Sequence, residues 1–172
     1  MTKFLATNPA NEMIGRAGHN IIIGVFHRTG NAGNDTAQGE ANYSHGHAIQ
    51  ASFYKVIDAN GDIFQVTLPK DTEYAVADPI LNQESLNYEL AGVNGSSLTP
   101  KQIAALIADI KADPATKKIP NHRLTPKEIV SRKVGGWCTH KDITLAVRGP
   151  GMSHTDYITE TELVTILKGI YS

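Results

Sequence analysis

At 172 residues, with 41% apolar and 19% charged side chains, the chain can bury a sizeable core and is too apolar to be disordered. A net charge of −1 excludes the broad basic surface of a nucleic-acid binder and does not favour a strongly acidic ligand. The single cysteine, Cys138, excludes an internal disulfide framework and fits synthesis in a reducing compartment.

Residues 1–9 lack the apolar core of a signal peptide, and no window approaches a membrane-spanning run, so neither a secretion signal nor membrane insertion is expected. Residues 1–19 are polar, carry Pro9, Gly15 and Gly18, and read as a loosely structured N-terminal arm. The run Ile21-Ile22-Ile23-Gly24-Val25-Phe26-His27 predicts a strand buried on both faces and ending at His27. A turn-rich loop follows, then a polar helix over about residues 36–46, with Asp35 as its N-cap. Residues 52–57 and 63–68 predict a hairpin across Asp58-Ala59-Asn60-Gly61, where Asn-Gly supplies positive φ. Residues 73–77 read as a short edge strand and residues 86–91 as a further strand, closed by Gly92.

Three helix starts then share one chemistry. Thr99-Pro100-Lys101-Gln102, Thr125-Pro126-Lys127-Glu128 and Thr159-Glu160-Thr161-Glu162 each place a capping Thr three residues before an acid or amide. Apolar stripes follow: Ile103, Leu106, Ile107 and Ile110 in the first, and Leu163, Ile166, Leu167 and Ile170 in the C-terminal helix of residues 159–172. No linker and no repeat divides the chain. The expectation is one domain over residues 1–172, of the α/β class, with strands first, helices after, and a central mixed β-sheet flanked by helices.

Groups able to bind a metal or move a proton stand at His27, His140, His154 and Asp156. They are too far apart in sequence to form a local metal-binding motif. Each also has a structural reading: a strand-end histidine bonded to a loop, or an aspartate that caps a helix or forms a turn. Cys138 reads as a small buried thiol and Trp137 as core, with Trp137 and Tyr74 as secondary candidates for stacking on a ligand. His19, His45, His47 and His122 belong to no motif and read as surface or satisfied loop histidines.

Over roughly residues 20–158 the chain resembles the zinc-dependent N-acetylmuramoyl-L-alanine amidases of type 2, a family that includes phage endolysins, cell-wall recycling amidases and peptidoglycan recognition proteins. A buried strand ending in His-x-Thr is matched by His27-Arg28-Thr29, and a strand running into an Asp-Gly hairpin by residues 52–61. Asn-x-x-Ser-Ile-Gly-Ile-Glu-Leu-x-Gly is matched by Asn82-Gln83-Glu84-Ser85-Leu86-Asn87-Tyr88-Glu89-Leu90-Ala91-Gly92. A helix opening with Leu-Thr and Gln (Leu98-Thr99-Pro100-Lys101-Gln102), His-x-Asp-Ile (His140-Lys141-Asp142-Ile143) and, in part, Lys-Thr-Asp-Pro-Gly (His154-Thr155-Asp156) follow in the family's order.

The resemblance implies the fold of the type 2 amidases and peptidoglycan recognition proteins, and a zinc ion held by His27, His140 and Asp156. Two imidazoles and a carboxylate leave a fourth position for water. Glu89 matches the acid/base glutamate; it should share a strand face with Asn87 while Tyr88 and Leu90 point away. His154 stands where many members have a lysine and is expected to stabilise the oxyanion, with the rival assignment that His154 is the third ligand and Asp156 its partner. Tyr54 is carried as a site residue, although counting back from Gly61 puts the relatives' tyrosine at Phe53, and a one-residue slip changes the face. Tyr157-Ile158 replaces the usual Pro-Gly, and the loop before it is longer than in many relatives.

The expected function is hydrolysis of the amide between N-acetylmuramic acid and L-alanine, in the manner of a phage endolysin made in the host cytoplasm and acting on the bacterial cell wall. The expected partner is peptidoglycan or a muropeptide, with no nucleic acid, and the expected state is a monomer. The alternatives are a non-catalytic recognition module, a muropeptide-recycling amidase and a zinc hydrolase of another amide on the same scaffold.

Overall fold

A computed structural model of the chain describes residues 2–31, 35–76, 78–93, 96–149 and 158–172. Within them, strands lie at Lys3–Phe4 (β1), Glu12–Met13 (β2), Ile23–Arg28 (β3), Lys55–Ile57 (β4), Ile63–Gln65 (β5), Thr72–Glu73 (β6), Ser85–Leu90 (β7) and Gly136–Thr139 (β8). Helices lie at Ala37–Gly46 (α1), Pro79–Glu84 (α2), Pro100–Ala112 (α3), Pro126–Ser131 (α4), His140–Arg148 (α5) and Glu160–Tyr171 (α6). The main sheet has the order β1-β5-β4-β7-β3-β8, and β2 and β6 form a separate antiparallel ribbon. β3 runs parallel to β7 and β8, β4 is parallel to β7, and β5 is antiparallel to β4, so the central sheet is mixed, as expected.

Every residue of β3 is buried, because helices cover both sheet faces. On one face Phe26, Leu86, Tyr88, Leu90 and Trp137 pack against Leu106 and Ile110 of α3 and Leu163, Ile166 and Ile170 of α6. On the other, Ile23, Val25 and Cys138 pack under Leu81, Ile129 and Ile143 of α2, α4 and α5. Beside them, Phe53, Val56 and Phe64 pack under Ala37 and Ala41 of α1. Each fully buried side chain of this size contributes roughly 1.5–3 kcal/mol. Gly24 is required by this packing: it pairs with Trp137 across β3 and β8, and the Trp137 ring occupies the place of a Cβ at position 24. Trp137 also stacks on Phe26, with ring centroids 5.2 Å apart, and donates its indole N–H to the Tyr171 hydroxyl at 2.8 Å. Both Trp137 and Cys138 are fully buried, as expected.

Several elements depart from expectation. Residues 2–19 are not a loose arm. β1 adds to the sheet edge beside β5, and Asn11 is fully buried, donating to the carbonyls of Ser44 (3.0 Å) and His47 (2.7 Å) and accepting from the N–H groups of Ile49 and Gln50. This segment is held by polar side chains that satisfy other loops' backbone, which leaves no apolar periodicity to read. Helix α1 is capped by Thr36, whose hydroxyl accepts from Gly39 N–H at 3.0 Å; Asp35 instead accepts from the Thr29 hydroxyl at 2.5 Å. Residues 72–73 pair with β2 in the ribbon and do not edge the main sheet. Strands do not all precede helices, since β8 follows α4.

The Thr125 and Thr159 starts form reciprocal capping boxes. At the Thr99 start the threonine caps Gln102 N–H, but the Gln102 side chain goes elsewhere, donating to the sheet-end carbonyls of Ile57 (2.8 Å) and Ala91 (3.0 Å). Gln102 thus ties α3 to β4 and β7. Among the described residues no helix is long and apolar enough to cross a membrane.

Candidate metal centre

The site forms at the carboxyl ends of the parallel strands. β3 carries His27 opposite Glu89 of β7, and β8, in register with Phe26 at Thr139, delivers His140 beside His27 as the first residue of α5. Both imidazoles are buried, their ring centroids 4.6 Å apart and their planes inclined at 52°. The His27 Nδ1 lies 3.8 Å from Glu89 Oε1, and His27 Nε2 lies 3.0 Å from Asn87 Oδ1. Glu89 therefore shares its face with Asn87, while Tyr88 and Leu90 are buried in the opposite core, as the alternation of the strand requires.

His140 is set by a third capping box. The Thr139 hydroxyl caps Asp142 N–H at 3.3 Å, and Asp142 accepts from Thr139 N–H at 2.8 Å. The other oxygen of Asp142 accepts from Arg123 at 3.1 Å. The His-x-Asp spacing is thus a helix start locked in place, with the histidine on its first residue. The same Thr-x-x-acid pattern stands in Thr139-His140-Lys141-Asp142, so this helix was readable from the sequence and was missed there.

Two cavities meet at the site. One, of about 220 Å³, is lined by His27, Glu89, Phe53, Tyr74 and Glu40 among others. The other, of about 710 Å³, is lined by His140, Tyr74, Gln50, Pro79 and Asn82, with Ala51 and Ala75 shared by both. A groove therefore passes both imidazoles and has Tyr74 on its wall. Sequence reasoning did not anticipate Glu40. Burial, and then the neighbouring Asp35, push its carboxyl up to about 7.

Tyr54 does not belong to this site. The chain bends at Tyr54, which turns Phe53 toward His27 and sends the tyrosine to the opposite face. There its ring meets Tyr88 edge-on and its hydroxyl donates to Asp113 at 2.6 Å, beside the buried Lys55–Asp113 ion pair at 2.6 Å. His154 and Asp156 lie outside the described residues, and among the described residues no cluster of three metal-ligating groups occurs. The remaining histidines have partners away from the site: His45 on Ala6 O, His47 on Tyr43 O, His19 on Glu84 and His122 on Glu128.

The donors present fit zinc. Two buried imidazoles at this separation suit tetrahedral nitrogen ligation, and a ligating histidine usually gives its other ring N–H to an oxygen acceptor, a place that Asn87 Oδ1 fills 3.0 Å from His27 Nε2.

A mixed sheet covered on both faces, with two histidines and a glutamate at its carboxyl end, is the architecture of the type 2 amidase fold. The family model described as N-acetylmuramoyl-L-alanine amidase matches residues 17–153, and the chain belongs to that family. Solved structures share the fold. The Staphylococcus aureus hydrolase AmiA, solved in complex with its ligand, superposes with a TM-score of 0.70 at 15% identity, over 99% of this chain and 83% of that one. A mutant endolysin from Bacillus subtilis gives 0.67 at 18% identity, over 99% of this chain and 98% of that one. The N-acetylmuramoyl-L-alanine amidase LysC from Clostridium intestinale URNW gives 0.56 at 17% identity, over 83% and 84%. A search of curated protein sequences gives no match.

Proposed function

We propose that the protein is a zinc-dependent amidase that cleaves the bond between N-acetylmuramic acid and L-alanine in peptidoglycan, and that it serves as a phage endolysin in host lysis. The observation that carries this reading is the pair of buried imidazoles 4.6 Å apart with Glu89 beside them, in a chain of the amidase family. His27 and His140 would hold the ion; the order of the sequence motifs makes Asp156 the third ligand and His154 the oxyanion partner. Zinc bound there activates a water at neutral pH and polarises the amide carbonyl.

The chain's own residues supply the rest. Glu89 is partly exposed at the cavity, so it can take the proton of the attacking water and return one to the leaving amine. The groove past both imidazoles suits an extended glycopeptide, and Phe53 and Tyr74 give it apolar walls.

Purified protein incubated with muropeptides, with and without a chelator, tests the reading. The expected result is release of the stem peptide, abolished by chelation and restored by zinc. Turnover that survives metal removal would sink the zinc mechanism, and zinc binding without cleavage would make the protein a recognition module.

A further inference from the structure

A line of buried polar groups reaches His27 from the N-terminal segment, and the amidase reading makes no use of it. Arg16 is fixed by donating to the carbonyls of Pro69 (2.7 Å), Gln83 (2.9 Å) and Ser85 (2.8 Å), and its remaining amino group donates to Glu73 Oε1 at 3.1 Å. Glu73 is wholly buried at the end of β6. Its second oxygen accepts from the Asn87 amide nitrogen at 2.8 Å, and that nitrogen also reaches the Ser85 hydroxyl at 3.0 Å. An amide nitrogen facing a carboxylate leaves only the amide oxygen to face His27, at 3.0 Å from Nε2. The ring nitrogen there must carry the proton. The lone pair of the neutral ring is then on Nδ1, the nitrogen nearest Glu89.

We propose that Arg16, Glu73 and Asn87 form a positioning line that fixes His27 as its Nε2–H tautomer and presents Nδ1 as the metal-binding nitrogen. Its metal-binding part rests on the zinc reading above; the tautomer does not. Arg16 holds the buried carboxylate, the carboxylate orients and polarises the Asn87 amide, and the amide oxygen holds the imidazole proton. None of the three touches substrate.

The test reads the tautomer directly. Nitrogen-15 imidazole shifts of His27 are measured in metal-free protein at about pH 8, where an ordinary histidine is neutral, and zinc affinity is measured by chelator competition. Wild type is expected to show the Nε2–H form. Asn87→Ala is expected to give a tautomer mixture and zinc binding weaker by roughly 10–100-fold. Asn87→Gly, the residue of the family pattern, should behave likewise if the alanine variant fails to fold. A wild-type ring protonated on Nδ1 overturns the proposal, as does an Asn87 variant with unchanged tautomer and zinc affinity. Wild-type protein that takes up no zinc defeats the metal reading and the metal-binding half of the proposal, while the tautomer shifts still decide the positioning line.

Discussion

The two faces of the central sheet differ sharply although they are built from alternate residues of the same strands. Phe26 and His27 are neighbours on β3, as Tyr88 and Glu89 are on β7, yet one member of each pair joins an aromatic core under α3 and α6 and the other enters the site. The core face is held by area: Trp137, Phe26 and Tyr88 interlock with helical Leu and Ile. The site face carries apolar patches at Ile23, Val25 and Cys138 and at Phe53, Val56 and Phe64, with the polar groups His27, Asn87 and Glu89 between them. The core face therefore tolerates chemistry-neutral change at a cost in stability. The site face should lose function while the fold survives.

The sharpest way to break this contrast is at the imidazoles. His27→Ala or His140→Ala should abolish zinc uptake and reduce muropeptide cleavage to background, with the melting temperature of the metal-free protein little changed. Metal analysis beside an activity assay checks both. Next comes Glu89→Gln, which should retain zinc and lower kcat by roughly 10²–10⁴-fold; unchanged turnover would remove Glu89 from the mechanism.

How far the contrast could be read beforehand follows from its physics. Period-two alternation is local, so the separation of Glu89 from Tyr88 and Leu90 was legible on β7. The β-branched run marked β3, and the Thr-x-x-acid boxes marked two helix starts correctly. Tyr54 was carried from the motif although the count from Gly61 pointed to Phe53, and it is Phe53 that lines the site. Arg16 and Glu73 escaped notice because their partners lie more than fifty residues away or on other strands, where only the folded chain brings them together. The third metal ligand and the oxyanion partner, Asp156 and His154, remain motif-based expectations, being outside the described residues.

On the core face the largest effect should come from Trp137→Ala, which empties a fully buried site against Phe26 and Tyr88 and removes the bond to Tyr171. It should destabilise by about 3–5 kcal/mol, with zinc stoichiometry preserved in the protein that remains folded. Tyr54→Phe discriminates the faces more finely. The Tyr54 hydroxyl is a donor to Asp113, so its loss should cost about 1–2 kcal/mol in denaturant unfolding. kcat and KM should not change, and a loss of turnover at unchanged stability would return Tyr54 to the site.

The smallest effect is expected where the two faces meet, at the turn from β8 into α5. Thr139→Ala removes the hydroxyl that caps Asp142 N–H, immediately before His140. The loss of an N-cap costs about 1 kcal/mol. Asp142 keeps its bond to Thr139 N–H and its ion pair with Arg123, and Arg123 is itself anchored on Glu160 of α6. The helix start should therefore hold its place, and His140 with it. Zinc affinity should fall by less than about tenfold, a modest fraction of the 10–100-fold typical of a lost metal-orienting partner. A larger loss, measured by chelator competition at matched stability, would show that the cap orients the imidazole itself and that Arg123 and Asp142 alone do not hold it.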